Sequence, residues 1–303
     1  MEFAQLLAFG LVILALTIAI AVHSGSALNT VTTKSAINAG AVSQQEGEYA
    51  YIANLENNTV SIVNTSSNLI IGTMIGFNAP SGVAISPSGA YAYIADDGSG
   101  TVSIVNTSFN RVTGTISGFD MPAGVAFSPS GAYAYIADYG NDTVSIVNTS
   151  SNSTIALISG FYHPRGVSIS PSGSYAYVVN SGNSTISMVN TSSRLITGTI
   201  TPENASMNNN LIDIAFSPSG SYMYVTNEGT GSVLIISTAS NIVTDTISGF
   251  VGPEGVAFSR SGAYAYVTDL SNNTISIINT SSSKVTGVIR GFTGSCGVAF
   301  FKH

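Results

Sequence analysis

The stretch from Gly82 to Asp96 decides the fold: it is Gly-Val-Ala-Ile-Ser-Pro-Ser-Gly-Ala-Tyr-Ala-Tyr-Ile-Ala-Asp. A short apolar run, a Ser-Pro-Ser-Gly turn and a run rich in aromatic and branched residues predict two antiparallel strands joined by a tight hairpin. The turn recurs at intervals of 42, 42, 47 and 42 residues, the last copy being Ser-Arg-Ser-Gly. The copies begin at Ser86, Ser128, Ser170, Ser217 and Ser259.

Each block of about forty residues predicts four strands. After Asp96, a turn to Gly100 leads into a third strand at Thr101–Val105, and an Asn-Thr-Ser turn leads into a fourth at Val112–Ile116. Only the N-terminus has a helical pattern. Four short strands repeated at this period are typical of one blade of a β-propeller.

The blade count follows from two repeated features. Second-strand tyrosines occur at Tyr49, Tyr91, Tyr133, Tyr175, Tyr222 and Tyr264, and inner strands are predicted at 82–85, 124–127, 166–169, 213–216, 255–258 and 297–300. The last inner strand has no block after it, and the first block is preceded only by a degraded inner strand at 40–43. We therefore expect an all-β, six-bladed β-propeller closed by the C-terminal strand, because closure removes an exposed sheet edge. A seven-bladed propeller is the alternative.

The end of the second strand carries a family resemblance. It is Tyr-Ile-Ala-Asn at 51–54 and Tyr-Ile-Ala-Asp at 93–96 and 135–138, then Tyr-Val-Val-Asn at 177–180, Tyr-Val-Thr-Asn at 224–227 and Tyr-Val-Thr-Asp at 266–269. Over residues 47–303 the chain resembles the YVTN-repeat β-propellers of archaeal surface-layer and bacterial periplasmic proteins. The resemblance implies a surface protein and no shared catalytic motif. It also implies seven blades, which six copies of the motif do not match.

The N-terminus predicts export. Residues 3–22 are apolar except for Gln5 and Thr17, which is long enough for a helix that spans a bilayer. We divide the chain into a hydrophobic anchor or signal segment (1–27), a linker (28–46) and the propeller (47–303). An uncleaved anchor, a cleaved signal peptide and an apolar helix in a filament core all fit residues 3–22. The first two place the propeller on the extracellular face of the membrane.

Composition limits the partners. Eight Lys and Arg against fifteen Asp and Glu give a net charge of −7, so a basic nucleic-acid footprint is absent. Because few positive charges would repel one another once carboxylates are protonated, we expect tolerance of acidic surroundings. The single cysteine, Cys296, excludes an intramolecular disulfide, and we expect it to be a small buried residue.

Asn-X-Ser/Thr sequons are dense, and they predict either N-glycosylation of an exported surface or simply the turns of a repeated hairpin. They begin at Asn57, Asn64, Asn106, Asn141, Asn148, Asn152, Asn183, Asn190, Asn204, Asn272 and Asn279.

The strand order predicts two different faces. The turns between strands one and two and between strands three and four share one face, which we call the uniform face because its sequences repeat. The remaining turns and the blade-to-blade connections share the variable face. Loops on a rigid scaffold commonly carry recognition, so a ligand is expected at the variable face, although neutral drift explains such variation as well. The candidate residues there are Asp120, His163, Arg165, Glu203, Asn204 and Glu254. His163 and Arg165 lie in one connection and Glu203 and Glu254 in others, so these four residues fit either an anion site at the channel mouth or isolated solvated charges.

One Asn or Asp ends the second strand of every blade, and two roles fit these residues. A ring of such oxygens suits a hard cation, whereas Asx residues at a strand end usually accept backbone N–H bonds. We expect the second role. The residues are Asn54, Asp96, Asp138, Asn180, Asn227 and Asp269.

Catalytic motifs are absent: there is no His-Glu-x-x-His, no Gly-x-Ser-x-Gly and no phosphate-binding loop. We therefore assign no catalytic, cofactor or metal residue. The sequence predicts an exported, surface-layer-like binding or scaffold propeller whose partners are envelope proteins, glycans or its own copies. An extracellular lyase, lactonase or glycosidase that uses the variable face is one alternative. A filament subunit is the other.

Overall fold

The computed structural model describes residues 47–202 and 209–302. This part of the chain forms six four-stranded antiparallel sheets and one 3-10 turn at Asp97–Ser99. The N-terminal apolar segment, the linker and the predicted N-terminal helix lie outside the described residues. Among the residues that are described, no helix has the length and apolar character needed to cross a membrane.

Each sheet is one blade, numbered here by its second strand. The inner strands of blades 2 to 6 and then of blade 1 are β4 (Pro80–Ile85), β8 (Pro122–Phe127), β12 (Pro164–Ile169), β16 (Leu211–Phe216), β20 (Pro253–Phe258) and β24 (Ser295–Lys302). The second strands of blades 1 to 6 are β1 (Glu48–Asn54), β5 (Tyr91–Asp96), β9 (Tyr133–Asp138), β13 (Tyr175–Asn180), β17 (Tyr222–Asn227) and β21 (Tyr264–Asp269). The third strands are β2 (Thr59–Asn64), β6 (Thr101–Asn106), β10 (Thr143–Asn148), β14 (Thr185–Asn190), β18 (Ser232–Ser237) and β22 (Thr274–Asn279). The fourth strands are β3 (Leu69–Ile75), β7 (Arg111–Ser117), β11 (Ser153–Ser159), β15 (Leu195–Ile200), β19 (Ile242–Ser248) and β23 (Lys284–Arg290).

The C-terminal strand closes the ring. β24 pairs antiparallel with β1, with Tyr49 opposite Phe301 and Tyr51 opposite Ala299. It also contacts the inner strands β4 and β20 of the two neighbouring blades. The six-bladed prediction and its closure by the last strand are confirmed. The seven-bladed alternative is not what the described residues form.

The core lies between blades. Each cluster of buried apolar side chains combines two neighbouring sheets; for example, Tyr93 and Phe119 pack with Val125 and Ile136 of the next blade. Tyr93 is thus buried at a blade interface, whereas Tyr91, two residues earlier on the same strand, is 45% exposed. Tyr91 begins its strand at the uniform face, beyond the reach of the neighbouring sheet.

Hydroxyl groups of the buried tyrosines join successive blades at the uniform face. The hydroxyl of Tyr93 donates to Asn152 Oδ1 at 2.5 Å, and that of Tyr266 donates to Asn68 Oδ1 at 2.7 Å. The Tyr51 hydroxyl makes the same bond to Asn110. Each asparagine occupies the positive-φ position of the turn between strands three and four in the adjoining blade.

The inner strands approach one another so closely that five of them require glycine. A Cβ at Gly82 would lie 2.0 Å from the carbonyl oxygen of Ala123, and one at Gly297 would lie 2.1 Å from that of Ser81. Contacts of 2.6 Å or less to backbone atoms apply to all five positions, namely Gly82, Gly124, Gly166, Gly255 and Gly297. The channel on the propeller axis is therefore narrow.

The Asx residues at the ends of the second strands cap the blade connections. Asp138 accepts the backbone N–H of Asp120 at 2.7 Å, and Asn180 accepts that of Tyr162 at 3.1 Å. They are buried rather than grouped around an ion. Asp96, Asn227 and Asp269 accept equivalent N–H groups, so five of the six residues have the expected capping role. Asn54 does not have it: its Oδ1 has no hydrogen-bond partner among the described residues, and its amide donates to Ser61 Oγ at 2.9 Å.

Candidate functional site

A cavity of about 310 Å³ lies on the axis, between the inner strands of all six blades. Small and apolar residues such as Ala126, Ala215 and Ala257 make up most of its lining. The lining also contains Cys296, on β24, and Arg260, in the turn after β20. The remaining charged side chains of the lining are three residues of the inner strands: Arg165, Asp213 and Glu254.

These three side chains come from three successive blades. The Nη1 atom of Arg165, on β12, lies 3.4 Å from Glu254 Oε2, on β20. Asp213, on the intervening β16, accepts the backbone N–H of Val256 through Oδ2 at 3.0 Å. All three lie near the start of their strands, so the cluster occupies the variable-face end of the channel.

Departures from the repeat create this cluster. Where blades 2 and 3 have Ser81 and Ala123, blades 4 and 6 have Arg165 and Glu254. Asp213 stands where the other five inner strands need glycine. Because its carboxylate reaches the next strand, a side-chain hydrogen bond replaces the close backbone contact at this junction.

Burial shifts both carboxyl groups toward the protonated form. Desolvation raises the pKa of Glu254 to about 7, against the attraction of Arg165, and the nearby Glu228 and Asp213 add to the rise. Desolvation also raises the pKa of Asp213 to about 6, although backbone N–H groups of Val256 and Ile214 favour its charged form. Near neutral pH the two carboxyls therefore hold protons that solvated carboxyls have lost.

The backbone around the cluster is fixed by a threonine. The Thr226 hydroxyl donates to the Glu254 carbonyl at 2.6 Å and accepts the Asp213 N–H at 2.9 Å. On the outer side, the Arg165 guanidinium lies over the Tyr139 ring, 5.4 Å from its centroid. Arg165 is therefore held between a carboxylate and an aromatic face.

The remaining predicted ligand residues do not join this cluster. His163 Nδ1 lies 3.5 Å from Asp142 Oδ1, and both side chains are about half exposed. The His163 ring also stacks on Tyr139 at 4.8 Å. Asp120 is exposed in the connection before β8. Glu203 and Asn204 lie outside the described residues.

The sequence interpretation missed Asp213, although a signal for it was present. The predicted inner strand 213–216 aligns Asp213 with Gly82, Gly124, Gly255 and the equivalent glycines, so a carboxylate replaces glycine once in six copies. Such a departure indicates that this position does not make the close backbone contact that requires glycine in the other five inner strands.

The described residues contain no group of side chains suited to a metal ion, and their single cysteine lies on the inner strand β24. No cluster of three or more His, Cys, Asp or Glu residues suited to a metal ion occurs among residues 47–202 and 209–302. Cys296 is buried as predicted. Its thiol donates to the Gly294 carbonyl at 3.2 Å, and burial raises its pKa, which keeps it protonated.

The sequon asparagines divide between the faces. Those of the Asn-Thr-Ser turns on the uniform face are partly buried, and Asn64, for example, accepts the N–H groups of Ser66 and Ser67 at 3.0 Å. Asn57, Asn141, Asn183 and Asn272 are exposed at the variable face. Asn204 is outside the described residues. The turn role is therefore visible, and glycosylation stays a prediction.

Comparisons with known proteins agree on the architecture. The family described as "Lactonase, 7-bladed beta-propeller" matches residues 124–293, more than half of the chain, and the LVIVD repeat matches residues 81–105. No curated protein sequence matches the chain. None of these findings distinguishes the YVTN repeat, which stays a prediction.

Solved structures of low sequence identity share the fold alone. A chain in the structure titled nidogen/laminin complex is 16% identical with a TM-score of 0.72, covering 84% of this chain and 98% of the other. Hydrazine synthase of Kuenenia stuttgartiensis is 19% identical with a TM-score of 0.65, covering 84% and 92%. A functionally unknown protein of Desulfotomaculum acetoxidans is 16% identical with a TM-score of 0.63, covering 84% and 98%. By its family match the chain belongs to the Lactonase, 7-bladed beta-propeller family, and its described residues form six blades rather than the seven of that description.

Proposed function

We propose that this protein is an exported, non-catalytic binding propeller that holds a basic segment of an envelope partner at its variable face. A lysine or arginine side chain of the partner enters the channel and contacts Glu254 and Asp213. The observation that carries this proposal is the pair of carboxyls, the buried Glu254 and the partly buried Asp213, at the variable-face end of a cavity that is lined mostly by small or apolar residues.

The local charge favours a cation. Arg165 is the one basic side chain in the cavity lining near these carboxyls, and it already pairs with Glu254. Asp213 accepts only backbone N–H groups among the hydrogen bonds of the described residues. A cation placed between the two carboxyls favours their charged forms and so offsets the cost of their burial.

The surrounding variable face is also acidic, which steers a basic partner to the channel. Exposed or partly exposed carboxylates surround the entrance at Glu56, Asp97, Asp120, Asp142 and Glu228. The counter-charges within the described part of this face are Arg165 and Arg290.

Residues 3–22 and the YVTN resemblance support display on the extracellular face of the membrane. A tag after residue 303 on the full-length chain tests this directly. We expect an antibody to label this tag on intact cells. Mass analysis of the mature chain then distinguishes an uncleaved anchor, which retains residues 1–27, from a cleaved signal peptide, which does not. Labelling only after the cells are permeabilised would contradict export.

The binding site is tested with a lysine side-chain surrogate. Nα-acetyl-lysine amide is titrated against the full-length chain and followed by NMR, with Nα-acetyl-norleucine amide as the uncharged control. We expect binding of the lysine compound alone, weakened about tenfold or more by Glu254→Gln, since hydrogen bonds to charged groups contribute about 1.5–3 kcal/mol.

The matched control is Asp142→Asn, an acidic residue of the same face that lies outside the cavity lining. We expect this change to leave the affinity within about twofold, because exposed charge pairs contribute about 0–1 kcal/mol. Equal binding of the norleucine compound, or equal losses in both variants, would contradict the assignment of the site.

Hydrolysis of a lactone in the same cavity is the second candidate. The family description and the two carboxyls of raised pKa favour it, since a protonated carboxyl beside an ionised one suits acid–base chemistry. Turnover of δ-gluconolactone by the wild-type chain, lost in Glu254→Gln, would establish this candidate and overturn the non-catalytic proposal.

A further inference from the structure

One blade junction on the uniform face differs from the repeat in a way that opens a second site. At three junctions a buried tyrosine hydroxyl donates to an asparagine in the next blade, as Tyr93 does to Asn152. At the junction between blades 3 and 4 the corresponding residues are Tyr135 and Arg194. Arg194 keeps the positive φ of the position, at 59°, but changes its chemistry.

Arginine cannot accept the tyrosine hydrogen. A guanidinium has five N–H donors and no acceptor, so the Tyr135 hydroxyl and Arg194 present donors to the same space. Within residues 47–202 and 209–302, neither side chain has a hydrogen bond or a carboxylate partner. Burial raises the pKa of Tyr135, and the nearby positive charge of Arg194 offsets part of that rise. Two converging donors of this kind fit an oxyanion.

A groove surrounds this pair. It has a volume of about 420 Å³ and runs between the turns of blades 3 and 4. Tyr133 contributes an aromatic wall that is 38% exposed. The hydroxyl groups that line the groove belong to Ser128, Ser130, Ser172, Thr191 and Ser192. An aromatic surface beside many hydroxyls suits a sugar ring with its hydroxyl groups.

The uniform face has a net positive charge, which attracts an anion. Of the seven Lys and Arg residues in the described part of the chain, five lie at the uniform face, and only Glu48 and Asp245 oppose them. The five are Arg111, Arg194, Arg260, Lys284 and Lys302.

We infer that this groove binds an acidic saccharide, with a carboxylate or sulfate between the Arg194 guanidinium and the Tyr135 hydroxyl and the sugar ring against Tyr133. The site is independent of the channel and lies on the opposite face. It uses the turn position at which, in three other junctions, an asparagine accepts the hydrogen of a tyrosine hydroxyl.

The test compares ligands and a variant that restores the repeat. Glucuronic acid, glucose and inorganic sulfate are titrated against the full-length chain at low ionic strength. We expect glucuronic acid to bind about tenfold or more tightly than either glucose or sulfate, because the site recognises both the anion and the ring. Arg194→Asn, which recreates the residue found at Asn152, is expected to weaken glucuronic acid by about tenfold or more.

Arg111→Asn is the matched control, since Arg111 lies on the same face outside the groove lining. It should change the affinity by less than about twofold, and Arg194→Asn should leave the binding of Nα-acetyl-lysine amide unchanged. Equal affinity for sulfate and glucuronic acid would indicate an ion site and overturn the saccharide. Unchanged glucuronic acid binding in Arg194→Asn would overturn the site itself, whatever happens at the channel.

Discussion

The uniform and variable faces of the propeller carry opposite charges although one repeat builds both. On the uniform face, Ser86 and its equivalents bond to the backbone of their own hairpins, as in the 3.1 Å bond from Tyr91 N–H to Ser86 Oγ. On the variable face lie ten of the twelve Asp and Glu residues of the described chain, namely Glu56, Asp96, Asp97, Asp120, Asp138, Asp142, Asp213, Glu228, Glu254 and Asp269. The acidic residues therefore lie mostly where the chain connects two blades or caps such a connection.

Both faces depend on the close packing of the inner strands at the five glycines that line the channel. Disrupting this packing should have the largest effect on stability. Gly124→Ala places a Cβ 2.2 Å from the Arg165 carbonyl oxygen, a backbone atom that cannot move independently. We expect the free energy of unfolding to fall by about 3 kcal/mol or more, measured by chemical denaturation.

Gly114→Ala is the control for this prediction, because its Cβ meets only ordinary side-chain contact, 3.5 Å from Ile104 Cδ1. It should change stability by less than about 0.5 kcal/mol. Similar effects in the two variants would show that the inner strands are not held at the described spacing.

The arrangement of the inner strands also separates what the sequence predicts from what it does not. The repeat predicted six blades, the closing strand and the capping Asx residues, because each depends on local turn chemistry or on counting. The repeat also assigned Arg165 and Glu254 to the variable face. It did not show that the two side chains are in contact, because they lie 89 residues apart in the sequence, on strands of different blades. Asp213 and the Arg194 junction were missed because their significance depends on what lies opposite them in the next blade.

The carboxyls of the channel predict an unusual pH dependence, the next largest effect. The folded pKa values of Asp213 and Glu254, about 6 and about 7, lie above those of the unfolded chain. The native state therefore keeps protons that the unfolded state loses, so this stability is present at low pH and is lost as pH rises from about 4 to 7. We expect the free energy of unfolding to fall by about 5 kcal/mol over that range, since each pKa unit corresponds to about 1.4 kcal/mol and both carboxyls contribute.

Glu254→Gln should reduce this slope, whereas Glu48→Gln on the uniform face should leave it unchanged. Denaturation curves at intervals from pH 3 to pH 8 provide the measurement. A native state that unfolds near pH 3 while remaining stable at pH 7 would contradict both this prediction and the expected acid tolerance.

The smallest predicted effect is a difference in stability between variants of two blade junctions on the uniform face. Tyr93→Phe leaves Asn152 without its donor and should cost about 1 kcal/mol, the usual contribution of one hydrogen bond. Tyr135→Phe removes a hydroxyl that has no hydrogen-bond partner among the described residues and should cost less than about 0.3 kcal/mol. Thermal unfolding of the two variants measures the difference, and equal losses would show that Tyr135 has an acceptor within the protein.

The most direct test of the central claim is proton release at the channel. Burial raises the pKa of Glu254 to about 7, so this carboxyl still holds a fraction of a proton near pH 7, and a cation bound beside it should expel that proton. Titration calorimetry of the full-length chain with Nα-acetyl-lysine amide, in two buffers of different ionisation enthalpy, measures the number of protons released. We predict proton release on binding in the wild-type chain and much less release in Glu254→Gln. Binding with no proton release, or with the same release in both chains, would contradict a cation site between Glu254 and Asp213.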